Sequence, residues 1–557
     1  MTIKTTFIII FLLYLNILLG QAPAWDWVTK AGGTGDDAAL STTSDIDGAI
    51  IVAGYFSGSI TFGTYSLSSF GVFDFFIAKY DSTGNVLWAK SGGGPLSDQI
   101  SSITTDPWGN ILVTGAFQSP TLTIDTLTLL NSGSWDAFAA KFDPQGNIRW
   151  AKQIVGPDHD NSNCVIADSN CIVIGGRFKQ NIVIGNDTLI NVSSGTNAFD
   201  IFLVKYDTLG NVIWSKSIGS PKEDVIKSLA FDYDDNILAT GTYGNASITF
   251  GTTTLSSSGG NDIFLAKFNR LGDVIWAKKA GGTYSEYANA LSVDQNNNPI
   301  VSGYFSSPKI YFDTDSLINS GVAGSTTFLA KYNSNGNIVW ARKAGNATSN
   351  VGYASCTDQD NNILIAGNHQ NNPLIFGGDT LDNNGAWDIY LLKFDEFGNE
   401  LWAKSAGGGD NDETHSNCLA ITPNGSVLLA GGFYSDNIFF DSISLINTVV
   451  GDPFSNKKDM FLAVLSPSTL TTGIGILETS IDDYVILFPN PTNGTLNLKS
   501  AHPIHEIKIF GSTGQQIMIE NVNGQQSYAV TLESNGVFFV QIMTDIQITT
   551  KKVVVKK

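Results

Sequence analysis

The stretch Asp136–Lys152, DAFAAKFDPQGNIRWAK, holds an apolar run, a tight turn and a second run that ends at a tryptophan. Its tryptophan, Trp150, belongs to a series with Trp27, Trp88, Trp214, Trp276, Trp340 and Trp402, spaced 61 to 64 residues apart. A beat this regular means one supersecondary unit copied along the chain, and it decides the architecture before any local assignment.

One full copy runs from Asp98 to Lys152. Strands are expected at Gln99–Thr105, Ile111–Phe117, Ala137–Phe142 and Ile148–Lys152, with a short hairpin at Leu122–Leu129 between the second and third. Turns of the form Asp-x-x-Gly-Asn separate them, as at Asp81–Asn85, Asp106–Asn110, Asp143–Asn147, Asp207–Asn211 and Asp395–Asn399. The Asp side chain bonds the backbone two residues on, and Gly supplies the positive φ that closes the loop. The flanks are rich in Ile, Val, Leu, Phe and Thr, as strands require. Four strands per copy with both faces apolar is what a propeller blade needs, because each blade packs between two neighbours. The tryptophans are expected in the core, where burial of each contributes roughly 3–5 kcal/mol.

The third strand recurs seven times, from Ile77-Ala78-Lys79-Tyr80 to a degenerate Leu462-Ala463-Val464-Leu465. The chain begins with a tryptophan strand at Trp27 and ends its repeats on a third strand with no tryptophan after it. The first strand is therefore expected to complete the last blade, which closes the ring and removes exposed sheet edges. The expected fold is all-β: a seven-bladed β-propeller at 24–466, a linker at 467–483, and a small C-terminal Ig-like β-sandwich at 484–557.

The chain has 557 residues, 15% of them charged, and a net charge of −20. That balance excludes nucleic acid as a partner, since phosphates need a basic face. Residues 1–22 have the layout of a secretory signal peptide: Lys4, the apolar run Phe7–Leu19, then Gly20 and Ala22. The run is too short to cross a bilayer as a helix, and no later segment is long and apolar enough, so no transmembrane segment is expected in the mature form. The four cysteines, Cys164, Cys171, Cys356 and Cys418, are sparse and lack a C-x-x-C pair, so mostly buried free thiols are expected.

With their Gly109–Gly115 (Gly-Asn-Ile-x-Val-x-Gly) and Asp136–Lys141 (Asp-x-Phe-x-Ala-Lys) segments, the copies resemble the bacterial β-propeller repeats often called SBBP. The C-terminus carries Pro489-Asn490-Pro491 before Gly494, then Gly536 before Val537-Phe538-Phe539-Val540, then Lys551-Lys552-Val553-Val554-Val555-Lys556. In order and spacing these resemble the type A C-terminal sorting domain of the type IX secretion system of Bacteroidetes, departing at Ile509-Phe510-Gly511. The resemblance implies export by a Sec signal peptide and then the type IX machinery as partner, with the protein secreted or held at the outer cell surface. Asp-Ser/Thr pairs followed by an apolar residue, such as Asp125-Thr126-Leu127 and Asp379-Thr380-Leu381, look like the O-glycosylation sequon of the same group, and equally fit a hairpin turn.

No Gly-x-Ser-x-Gly, His-Glu-x-x-His or phosphate-binding loop is present. Asp81, Gly84 and Trp88 superficially resemble a sialidase Asp-box, but in a different order, and only four arginines exist to hold a substrate carboxylate. No cofactor is evident, no motif names a metal, and the acids leave room for a structural cation. The loop from each tryptophan strand into the next blade ends in an acid: Asp37, Asp98, Asp160, Asp224, Glu286 and, near the seventh, Asp412 with Glu413; the sixth copy has Asn350. Such acids either bind a cation, base or sugar at the axis, or hold their own loops by backbone hydrogen bonds. Asp410, Asp412, Glu413 and His415 form the least repeat-like cluster and the first candidate for a site. The leading expectation is a non-catalytic propeller for adhesion or binding of an extracellular protein or glycan. The alternative is an extracellular enzyme that degrades polysaccharide or protein with acids on the loop face.

Overall fold

The structure is a computed structural model. It describes residues 22–467 and 485–555, apart from 193–197, 320–323, 346–348, 371–372, 450–456, 489–491, 493, 512–514, 533 and 546–547. Two compact units result, Met1–Leu470 and Thr471–Lys557. Residues 1–21 of the expected signal peptide, most of the expected linker, Pro489, Asn490, Pro491 and Lys556 lie outside the described residues.

The first unit is a seven-bladed β-propeller. Blade 2 shows the plan: Asp98–Thr105, Ile111–Phe117, Asp136–Phe142 and Ile148–Ile154 pair antiparallel in that order. Blades 1, 3, 4, 5 and 6 begin at Asp37, Asp160, Asp224, Glu286 and Asn350 and repeat it. In blade 7 the inner strand is interrupted, Asp412–Glu413 and Leu419–Ile421, followed by Val427–Phe433 and Asp459–Leu465. The fourth strand of blade 7 is Trp25–Gly33, the first of the chain, with Val28 opposite Ala463 and Lys30 opposite Phe461. The ring therefore closes as the offset of the repeats requires, and the last third strand is left without a bare edge. A two-stranded hairpin sits between the second and third strands of every blade, as at Thr121–Ile124 and Leu127–Leu130.

The second and third strands are buried throughout, and their Ile, Val, Leu and Phe side chains form clusters that span neighbouring blades. The tryptophans differ from expectation. Trp340 and Trp402 are buried, but Trp27, Trp88, Trp150, Trp214 and Trp276 are half-buried. Each of these five works as a clasp between blades. The Trp88 indole N–H donates to the Pro144 carbonyl of blade 2 at 3.3 Å, and Trp150 and Trp214 donate likewise to Thr208 and Arg270 of the blades after theirs. The ring lies flat on the turn glycine, so that a Cβ on Gly146 would sit 3.1 Å from the Trp88 ring. That glycine also needs φ near 79°. One Gly-Asn turn thus serves its own blade and the neighbour's tryptophan.

All four cysteines are free; Cys164, Cys171 and Cys418 are buried and Cys356 is half-buried. Among the described residues no helix is long and apolar enough to cross a membrane.

The second unit is a small β-sandwich made from one bent sheet of five strands. Thr495–Gly511 is one continuous strand. Its first half pairs Val485–Phe488 and its second half pairs Gly536–Thr544, while Gln516–Thr531 runs along its other edge. Register shifts between Lys499 and Glu506 mark the bend. Bending folds the sheet over one core that includes Leu496, Leu498, Ile507, Ile509, Val540 and Val553. Lys551 and Lys552 lie on the edge strand Ile548–Val555, opposite Val540 and Phe539. The Gly494 carbonyl accepts the Leu532 N–H at 2.7 Å, and Gly536 holds φ near 144°, which an L side chain rarely adopts.

Candidate functional site

The inner strands place the repeated acids. Asp37, Asp98, Asp160, Asp224, Glu286 and Asp412 are each the first residue of an inner strand, and each is fully buried. Asp98 shows the common task. Its carboxylate accepts the N–H groups of Gln118 and Ser119 at 3.1 Å and the Ser119 hydroxyl at 2.7 Å, which ties down the loop leaving the second strand. Ser435 serves Asp412 in the same way at 2.8 Å, and the longer Glu286 reaches the Gly282 N–H at 2.9 Å.

The sequence pattern did not reveal that these acids come in pairs. A second acid opens the third strand in six blades: Asp74, Asp136, Asp200, Asp262, Asp388 and Asp459, all buried. Each faces the inner-strand acid of the next blade, so that Asp74 adjoins Asp98, Asp136 adjoins Asp160 and Asp459 adjoins Asp37. Only the seam between blades 5 and 6 lacks charge, with Thr326 and Asn350 in the same places. There Asn350 bonds the Thr327 N–H at 2.8 Å and the Ala344 carbonyl at 2.9 Å. Burial first, then the paired acid, lifts Asp37 to about 9; burial chiefly lifts Asp160 to about 8 and Asp224 and Asp412 to about 7. Burial thus favours the protonated forms of these groups. The glycine beginning each loop makes room: a Cβ on Gly93 would lie 2.1 Å from Asp74 Oδ1.

Around the axis, the third residue after each inner-strand acid faces the centre. Asn417 of the interrupted blade 7 strand donates to the carbonyls of Ser101 at 3.0 Å and Asn163 at 3.4 Å, spanning blades 2 and 3 from blade 7. His415, Ser416 and Asn417 thus form the insertion that crosses the axis. The His415 Nε2 is buried with no hydrogen-bond partner, and burial holds the ring neutral, with its pKa lowered to about 4. Beside it opens a cleft of about 280 Å³ lined by Tyr353, Asn368, Trp387, Glu413, Thr414 and His415. Of the cluster singled out in the sequence, Glu413 and His415 line this cleft, Asp412 is buried beneath it on Ser435, and Asp410 is exposed with its N–H on Ser435 Oγ at 2.9 Å. Glu413 is also 3.8 Å from Lys458, whose ammonium lies over the rings of Tyr55 and Tyr434 at 5.5 and 5.3 Å.

Where the acids repeat, the surrounding rim does not. The residue before the third strand is Phe73, Trp135, Phe199 or Trp387 in four blades and Asn261, Ser325 or Lys458 in the others. These aromatics are half-buried and organised. Trp135 stacks on His159 at 5.9 Å, Tyr55 meets Phe73 edge-on at 5.2 Å, and Tyr287 stacks on Tyr304 at 4.9 Å. Repeat comparison within the sequence contains this signal: the rim positions stand one residue before the repeated acids and differ from copy to copy. Among the described residues no group of three or more acids, histidines or cysteines is arranged to hold a metal ion.

Comparison with known proteins agrees with the reading of the chain's end. Residues 486–556 match the family model of the secretion system C-terminal sorting domain. The chain has curated relatives at low identity. An uncharacterized WD repeat-containing protein of Acanthamoeba polyphaga mimivirus is 26% identical over 74% of this chain and 36% of its own length. The regulatory protein FlaEY of Caulobacter vibrioides is 22% identical over 65% of this chain and 40% of its own. The chain thus spans about two fifths or less of these relatives. Among solved structures, PorZ, a surface component of the type-IX secretion system of Porphyromonas gingivalis, is 10% identical, with 95% of this chain and 100% of that one covered and a TM-score of 0.22. The Neurospora crassa Pan2 WD40 domain is 11% identical, with coverage of 56% and 94% and a TM-score of 0.26.

Proposed function

We propose that the C-terminal sorting domain of type IX secretion takes this chain to the cell surface or the extracellular space to bind a ligand there. The propeller that this domain delivers is a non-catalytic binding scaffold, which takes an extracellular glycan or protein at the axial mouth of the face where the inner strands begin. The observation that carries this reading is the contrast between a repeated, buried acid framework and an unrepeated, half-exposed aromatic rim. A scaffold has to repeat in order to close a ring, whereas a site for one ligand breaks that symmetry. Half-buried aromatics with a few convergent polar groups are the usual lining of a ligand site.

A second reading rests on the cleft that joins Glu413 to His415. A carboxylate and a neutral imidazole there offer an acid and a base to an extracellular polysaccharide or protein substrate. One experiment separates the two: a glycan array run beside hydrolysis assays on the bound glycans. Binding without turnover, weakened by Trp387→Ala and unchanged in Glu413→Gln, supports the scaffold. Turnover abolished by Glu413→Gln overturns it in favour of an enzyme.

A further inference from the structure

Within that mouth, and resting on its reading as a ligand site, one sector is built for negative charge. Lys227 stands three residues after Asp224, at the axis-facing position. The matching residues Leu40, Ser101, Asn163, Asn289 and Tyr353 are uncharged. Asn163 and Asn289 use the position to bond the next blade, donating to the carbonyls of Ile226 and Gly352 at 2.9 and 2.8 Å. Lys227 makes no hydrogen bond and no ion pair among the described residues. Burial costs this ammonium hydration, and the nearby Glu223 carboxylate attracts it without giving it a hydrogen bond.

Its neighbour Arg177 is only partly paired. The guanidinium lies 4.4 Å over the Phe199 ring and gives one N–H to Glu223 at 2.9 Å, while Nε is buried with no acceptor. Across the strand pair from Arg177 is Asn161, whose side chain lies against the His159 ring. Trp135, stacked on His159, supplies a flat half-exposed ring at the same rim. Burial and the charge of Arg177 both draw the pKa of Lys227 down, so the two cations stand close enough to feel each other.

We propose that this sector binds a carboxylate-bearing sugar of an acidic polysaccharide. The carboxylate takes the ammonium of Lys227 and the N–H of Arg177 that Glu223 does not hold, and the apolar face of the pyranose lies on Trp135. A neutral sugar would leave the Lys227 ammonium without a hydrogen-bonded counter-charge. Two cationic donors and a flat ring together fit a uronic-type sugar better than a carboxylate alone. The protein's charge of −20 repels polyanions at long range, so local contacts have to supply the attraction.

The test uses the full chain on an array of neutral and acidic glycans, followed by titration with an oligogalacturonate and its methyl ester, in which each carboxylate is replaced by an uncharged ester. Charge-assisted hydrogen bonds predict about 10-fold or more tighter binding of the acid form. In Lys227→Gln that preference should collapse, with the thermal midpoint unchanged as a folding control, while Trp135→Ala should weaken both forms. Equal binding of acid and ester overturns the proposal; if Trp135→Ala still abolishes both, the mouth remains a ligand site of another class. A glutamate-rich peptide that competes better than the sugar also overturns it, as does an acid preference retained in Lys227→Gln. Binding to no glycan removes the sugar proposal, and protein capture blocked by Trp387→Ala would then keep the scaffold reading alone.

Discussion

Lys141 Nζ lies 2.9 Å from Asp106 Oδ2, and both side chains are almost wholly buried. The pair joins the third strand of blade 2 to the turn after its inner strand, and blades 1, 4, 5 and 6 repeat it with Lys79–Asp45, Lys267–Asp232, Lys331–Asp294 and Lys393–Asp358. Blade 7 has lost both partners together: Val464 stands in the lysine position and Thr422 in that of the acid, and the Thr422 hydroxyl still caps the turn through the Ser426 N–H at 3.0 Å. Removing both charges avoids leaving one buried and unpaired. Lys141→Met alone should therefore cost about 3–5 kcal/mol, whereas Lys141→Val with Asp106→Thr should cost much less. Urea denaturation of the three proteins checks this, and a double variant as damaged as the single one would contradict it.

The seam acids set a pH dependence with a definite sign. Their folded pKa values are raised above the unfolded value near 3.8, to about 9 for Asp37 and about 8 for Asp160. Folding favours their protonated forms, so their contribution is complete below pH 4 and is lost progressively as pH climbs from there through the folded values of about 8 and 9. His369 and His415 act oppositely. Burial lowers each to about 4, so their contribution is present above pH 6.5 and is lost as pH falls towards 4. Between pH 4 and 6.5 the two effects oppose each other, and above pH 6.5 only the acids' loss remains, so stability should decline as pH rises towards 9. Asp37→Asn should flatten the alkaline slope, since each pKa unit corresponds to about 1.4 kcal/mol. The uncharged seam of Thr326 and Asn350 shows that the fold accepts such a replacement.

The closing strand should be indispensable. Deleting Trp25–Gly33 strips blade 7 of its outer strand and bares the edge of Asp459–Leu465. The expected result is loss of a monomeric protease-resistant core and gain of aggregates, read by size-exclusion chromatography and limited proteolysis. A monomeric, resistant product would refute closure by this strand.

The tryptophan clasp gives a reciprocal pair of variants. Trp88→Ala removes the ring and its bond to Pro144, and Gly146→Ala pushes a methyl group against the same ring from a strained φ. Each should cost about 2 kcal/mol, less than a fully buried tryptophan because the ring is half-exposed. The two losses should be less than additive, since each breaks the same contact. A thermal-unfolding double-mutant cycle measures the coupling.

Blade number, strand order, the hairpin in each blade and the closing offset were all legible in the sequence, because each is a property of periodicity and every copy restates it. The tail was legible for a different reason: its motifs stand in fixed order at the end of the chain. Other features come from residues distant in sequence that ring closure brings together. Asp74 meets Asp98, and Asp459 meets Asp37, only because one blade packs on the next. Asn417 reaches Ser101 only across the axis. The periodic pattern also placed the tryptophans in the core, whereas five of them are clasps on a neighbour's glycine turn. Apolar spacing tells which residues leave water; what they pack against is decided by tertiary contact. The lone ammonium of Lys227 is the same kind of fact, since a missing partner becomes visible only once every neighbour is in place.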